Sequence, residues 1–230
     1  TATWDPTTDI LTKELVARGD TMGCFYIESP ATRQLQAKVA SGEFDRLVVH
    51  SSMIRPAGSM FIDAYIQRHR LFVAHGNRVP PEHETTWFPH PSLRNLLSET
   101  YGVFAYQEDI MGAAEILAGF TSKQSNALRK ALGRNDTAAT MPHLALAFAH
   151  GCRAQQVPDS VAAEIWRMIA SFAGYSFCKA HSASYAMVSF QCAWLKAHYP
   201  AHFLARVIAY EGGFYAASAY VEEARRLGVR

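Results

Sequence analysis

The chain has 230 residues, 49% of them hydrophobic and 18% charged. That is enough for one large domain or two small ones with a real core, and it excludes a disordered tail or an acidic activation segment. Lys and Arg number 22 against 20 Asp and Glu, and the net charge of +2 is too small to mark a nucleic-acid binder by bulk electrostatics, although a local basic site stays open. No apolar run approaches the roughly eighteen residues that a membrane-spanning helix needs. The four cysteines, Cys24, Cys152, Cys178 and Cys192, include no Cys-x-x-Cys pair. Reduced thiols, a cytoplasmic setting and no membrane partner are therefore expected. The opening Thr1-Ala2-Thr3-Trp4-Asp5 has no initiator Met and no signal-peptide features, and the chain is expected to be a piece of something longer.

In chain order, Gly23 to Ser29 has the aromatic and β-branched content of a short strand. Pro30 suits the first turn of a helix that includes Leu35 and Val39. Phe44 to Ile54 is a second apolar segment, closed by Arg55-Pro56-Ala57-Gly58. The stretch 72–91 holds four of the ten prolines and three of the ten histidines, and reads as an irregular surface excursion or insertion loop. From Pro91 onward the pattern is helical. Tyr106, Ile110, Met111, Ala114 and Leu117 share a face, and Gly119 closes that helix. Thr121 or Ser122 caps the next segment, which runs to about Leu132 before Gly133. Further helices are predicted near 140–155, 159–172, 183–197, 201–210 and 216–227. The fold class expected is mainly α, with a short β element near the N-terminus.

Metal and nucleophile chemistry find little support. Cys178 and His181 have Cys-x-x-His spacing but no second ligand pair, and Trp87 occupies the position where a zincin would place its second His. The adjacent pairs Glu108-Asp109 and Glu222-Glu223 diverge on helices, so no acidic cluster for a pair of Mg²⁺ ions is visible. Neither a Gly-rich phosphate loop nor a nucleophile elbow is present.

Basic constellations say more. Lys123 and Lys130 are seven residues apart and share a helix face, with Arg129 adjacent and Arg134 just past Gly133. Such a face suits an anionic ligand, and Arg matches phosphate oxygens with forked donors; a merely solvated helix face is the alternative. In the second constellation Ser182 is a candidate N-cap, so Lys179 and His181 would flank a helix N-terminus, where free amides favour an anion. Tyr185, one turn in, is placed to stack on a base, or else Tyr185 and His181 are core residues with satisfied polar tips.

Five ordered stretches resemble the C-family replicative DNA polymerases, the alpha subunits of bacterial DNA polymerase III. These are Gly19 to Ser29; Leu47 to Gly58, ending Ile54-Arg55-Pro56-Ala57-Gly58; Tyr101 to Met111; Leu128-Arg129-Lys130-Ala131-Leu132-Gly133-Arg134; and Phe172 to Ala186, continuing to Trp194-Leu195-Lys196-Ala197-His198-Tyr199-Pro200-Ala201. The resemblance implies a piece of a DNA-directed DNA polymerase, inactive alone. Residues 1–60 would lead from the palm into the fingers, and residues 61–230 would form the helical fingers domain. It implies further that the fingers bind the triphosphate of the incoming dNTP and help position primer–template, while upstream palm carboxylates hold Mg²⁺. Carried over residue by residue, Arg129 and Lys130 would contact the triphosphate with Arg134 nearby, and Lys179, His181 and Tyr185 would line the same nucleotide pocket; Lys123 and Arg55 are expected to meet DNA. The other partners implied are the rest of the polymerase chain and the replisome subunits. The sequence departs from the family pattern at Lys130, where a second Arg is common, and at Cys178, where Asn is common. A stand-alone, non-catalytic helical nucleic-acid-binding module is the competing reading.

Overall fold

The computed structural model describes residues 4–54, 59–133, 137–172 and 177–229. Thirteen α-helices lie among the described residues: α1 (Ile10–Ala17), α2 (Pro30–Val39), α3 (Phe44–Met53), α4 (Ser59–Ala74), α5 (Glu84–Trp87), α6 (Arg94–Leu97), α7 (Gln107–Ala118), α8 (Ser122–Leu132), α9 (Thr137–Ala154), α10 (Asp159–Ala170), α11 (Lys179–His198), α12 (Pro200–Tyr210) and α13 (Ala217–Arg226). The mainly α expectation holds. Arg55 and Arg134, both named as site residues, lie outside the described residues.

Short polar residues start several of the helices. Asp9 accepts from the Thr12 amide at 2.8 Å to open α1, and Ser29 caps α2 ahead of Pro30. Thr121 and Gln124 form a reciprocal capping box on α8, the Gln124 Oε1 accepting from the Thr121 amide at 2.8 Å. Gly119 ends α7 in the left-handed conformation, φ +63°.

The expected strand at Gly23 to Ser29 is a run of turns. The Cys24 amide donates to the Thr21 carbonyl at 2.9 Å, that of Ile27 to Cys24 at 3.3 Å, and Tyr26 is left-handed at φ +66°. No strand lies among the described residues to pair with this segment. Its Phe25 and Glu28 carbonyls are met by the Ser189 and Tyr215 hydroxyls instead of by a partner strand, so its β-type composition does not produce β structure.

Contacts divide the chain into two compact units, Thr1–Ile54 with Ala180–Arg230, and Arg55–Lys179. In the first, Met22, Leu204 and Tyr220 form a core cluster against Phe203 and Val207, and Phe44 meets Phe190 with ring centroids 5.8 Å apart. In the second, α7, α8, α9 and α10 pack successively on one another. Phe120, Phe148 and Trp166 fill part of that core. Only part of the stretch 72–91 is an excursion: α4 continues to Ala74, and Trp87 and Phe88 are buried. Tyr101 stacks among Tyr65, Phe72 and Trp87. Gly102, at φ +79°, follows it so closely under the Trp87 carbonyl that a Cβ there would collide with it.

Candidate functional site

On α8 the buried residues are Ser125, Leu128, Ala131 and Leu132. At about 100° per residue, Lys123 and Lys130 fall on the opposite side of the helix, and both are exposed. Neither has a hydrogen-bond or ion-pair partner among the described residues. Arg129 lies on the flank and is half-buried; its Nε and Nη2 donate to Asn126 Oδ1 at 3.1 and 2.9 Å. That acceptor is neutral, so it fixes the guanidinium without cancelling its charge. The helix contains three cations and no Asp or Glu. Its exposed face is therefore an uncompensated positive surface, with one cation held in a fixed orientation.

Lys179 is differently placed. Its ammonium pairs with Glu99, its backbone amide donates to Glu108 Oε2 at 3.1 Å, and the ammonium lies 5.3 Å from the Tyr106 ring centroid. The pair is exposed and worth little by itself. An anion reaching Lys179 has to compete with Glu99.

Two expectations about α11 change. The helix begins at Lys179, one turn before Ser182, so Ser182 is not its N-cap. The Ser182 hydroxyl is buried, 2.6 Å from that of Ser52. A hydroxyl ahead of an apolar run signals a cap in sequence, but here it serves a helix–helix contact with α3. Phe172 to Ala186, which opens the last of the five stretches, includes residues 173–176, which lie outside the described residues.

His181 and Tyr185 come together, their ring centroids 4.0 Å apart. Tyr185 also meets Phe25 at 5.2 Å and Tyr26 at 4.8 Å, both edge-on. It is half-buried and His181 is exposed. The four rings make an aromatic cluster with an accessible side, a surface able to stack on a planar ring. Of the six residues expected at the nucleotide, Arg129, Lys130 and Lys179 belong to the second unit and His181 and Tyr185 to the first; Arg134 is the sixth.

The sequence reading missed what holds the Phe25–Tyr26 turn. Tyr185, Ser189, Cys192 and Lys196 recur at i, i+4, i+7 and i+11, one stripe along α11. Ser189 Oγ lies 2.9 Å from the Phe25 carbonyl oxygen. Burial raises the Cys192 thiol, against a hydrogen bond with the Phe25 backbone that lowers it. Lys196 Nζ donates to the Asp20 and Met22 carbonyls at 2.7 and 2.8 Å and to Glu223 Oε1 at 2.7 Å. Glu28 closes the turn by accepting from the Gly23 amide at 2.8 Å, the Phe214 amide at 2.6 Å and the Tyr220 hydroxyl at 2.7 Å. Burial, helped by that carboxylate, pushes the Tyr220 phenol up to about 12. The polar residues Ser189, Cys192 and Lys196 recurring in register with Tyr185 were the available signal. Phe25 and Tyr26 also wall a cleft of about 510 Å³ with Leu195, Tyr199, Phe203 and Tyr210; none of the site residues expected from sequence lines it.

No group of three or more His, Cys, Asp or Glu side chains is placed to hold a metal ion among the described residues. All four cysteines are free. No helix among the described residues is long and apolar enough to cross a membrane.

Residues 5–156 match the family described as the bacterial DNA polymerase III alpha subunit finger domain. The chain is 34% identical over 225 residues to the DNA polymerase III subunit alpha of Caulobacter vibrioides, an alignment covering 97% of this chain and 19% of that protein. It is 36% identical over 202 residues to the subunit of the same name from Aquifex aeolicus, covering 87% of this chain and 16% of that one. It is 33% identical over 228 residues to the error-prone DNA polymerase of Symbiobacterium thermophilum, covering 97% of this chain and 20% of that one. The chain thus belongs to the bacterial DNA polymerase III alpha subunits, in their finger region. It spans about a fifth of the length of these relatives.

Proposed function

We propose that this chain works as the fingers of a DNA-directed DNA polymerase, binding the triphosphate of the incoming dNTP and helping to position primer–template. The observation that carries the reading is α8: three cations with no acidic neighbour on the helix, one of them oriented by Asn126, within the matched finger region. Arg129 and Lys130 take the triphosphate in this reading, with Arg134 beside them in sequence, and Lys123 meets the DNA backbone, as does Arg55. Their role is electrostatic: fixed cations neutralise charge that develops on the departing pyrophosphate. Lys179 contributes once the anion displaces Glu99. His181 and Tyr185 offer a stacking face for the nucleotide. Residues 1–60 lead from the palm into the fingers in this scheme. Mg²⁺ held by palm carboxylates outside this chain would supply the activation of the primer hydroxyl.

The test is steady-state kinetics of Arg129→Ala in the full-length polymerase. A fall in kcat/KM for dNTP on the order of tenfold or more is expected from losing a charge-assisted phosphate contact. Wild-type kcat/KM would refute the assignment. Salt-dependent binding of primer–template that no triphosphate alters would favour a simple nucleic-acid-binding module instead.

A further inference from the structure

Lys196 is fully buried, yet its three donors go to the Asp20 carbonyl, the Met22 carbonyl and Glu223. A buried ammonium costs several kcal/mol to desolvate. A core lysine that spends two donors on the backbone of one turn therefore indicates that the conformation of that turn is what the charge secures. The turn carries strain of its own: Tyr26 is held at φ +66°, a region that disfavours residues with a Cβ. Its two aromatic side chains, Phe25 and Tyr26, pack edge-on against Tyr185.

Eleven residues separate Tyr185 from Lys196 on α11, about three turns or 16 Å, and the Asp20–Tyr26 segment runs between them. Lys196 grips its start, Ser189 lies 2.9 Å from both the Phe25 and Tyr185 carbonyl oxygens, and the rings of Phe25 and Tyr26 meet Tyr185 at the far end. The stripe Tyr185, Ser189, Cys192, Lys196 thus forms a track on which the turn is seated.

We propose that Lys196 is a positioning residue for nucleotide binding, which fixes the orientation of the Tyr185 ring through the Asp20–Tyr26 turn; this rests on Tyr185 contacting the nucleotide. Nothing about Lys196 requires it to touch the substrate. Glu223, itself held by Arg226 at 2.7 Å, completes the clamp from α13. Arg226 also reaches Asp20 at 3.3 Å, so the start of the turn is bound twice to the C-terminal helices.

The test is a double-mutant cycle in the full-length polymerase, read as KM for dNTP and kcat at saturating primer–template. Lys196→Met is expected to raise KM on the order of tenfold, with kcat changed by less than about threefold. The same change in a Tyr185→Ala background should add little, because the ring being positioned is gone. Ser189→Ala removes one donor at the turn while nearly keeping the core volume. It is expected to raise KM by about threefold, again only when Tyr185 is present, and it supplies the cycle if Lys196→Met does not fold. Equal KM increases in both backgrounds would overturn the proposal and leave the role of Tyr185 standing. A Tyr185→Ala enzyme with wild-type KM would overturn the role of Tyr185, and the positioning role of Lys196 with it.

Discussion

The Lys196 ammonium lies 2.7 Å from the Glu223 carboxylate, with the two side chains 0% and 5% exposed. A pair so withdrawn from water is strongly destabilising to break from one side, because the surviving charge keeps its desolvation cost without its partner. Glu223→Ala is expected to lower the stability of the unit by about 3 kcal/mol, measured by urea unfolding. Glu223→Gln, which keeps an acceptor, should cost less. Equal stability of the Ala variant and wild type would mean that the two backbone carbonyls alone satisfy Lys196.

The same carboxyl gives a pH dependence. Burial opposes ionisation of Glu223, but hydrogen bonds from Arg226 and Lys196 prevail and hold it at about 2, below its ordinary 4.5. A carboxyl depressed in the folded state binds fewer protons there than in the unfolded chain. Its stabilising contribution is therefore complete above pH 4.5 and is lost as pH falls toward about 2. The stability difference between wild type and Glu223→Gln should shrink across that window. A difference that stays constant from neutral pH to pH 2 would contradict the account.

Asp109 titrates in the opposite sense. Burial raises it to about 6, against two backbone amides, those of Ala105 and Tyr106, that donate to its Oδ2 at 2.8 and 2.9 Å. Its stabilising contribution is complete below its ordinary value of 3.8 and is lost as pH rises through about 6. Asp109→Asn keeps an oxygen for both amides and removes the buried charge, so it should be at least as stable as wild type at pH 8. A loss of about 2 kcal/mol or more at pH 8 would show that the start of α7 requires the ionised form.

Asn126 orients Arg129 through one oxygen. Asn126→Ala should leave folding stability within about 1 kcal/mol and raise KM for dNTP a few-fold, because a freed guanidinium loses entropy when it engages phosphate. An unchanged KM would mean that Arg129 reorients at no cost.

Local signals made much of this legible. Thr121 and Gly119 mark helix ends through chemistry confined to three or four residues, and the sequence shows it directly; Asp9 and Ser29 cap helices in the same way but were not picked out. The cations of α8 were legible for the same reason, since spacing alone puts Lys123 and Lys130 on one face. The turn at Gly23 to Ser29 was not, because its Phe25 and Glu28 carbonyls are met by the Ser189 and Tyr215 hydroxyls, more than 160 residues away along the chain. Ser182 misled because a serine that caps and a serine that bonds across helices look alike until α3 is seen to bring Ser52 beside it. Pairing of Lys179 with Glu99 depends likewise on a contact between residues 80 apart.

In the proposed function the uncompensated face of α8 binds the triphosphate. The most direct measurement is the dissociation constant of dNTP for full-length polymerase assembled on a chain-terminated primer–template, wild type against Arg129→Ala. Weakening by about tenfold or more is expected, with primer–template affinity changed by less than about twofold. Unchanged dNTP affinity, or a loss confined to DNA binding, would contradict the claim.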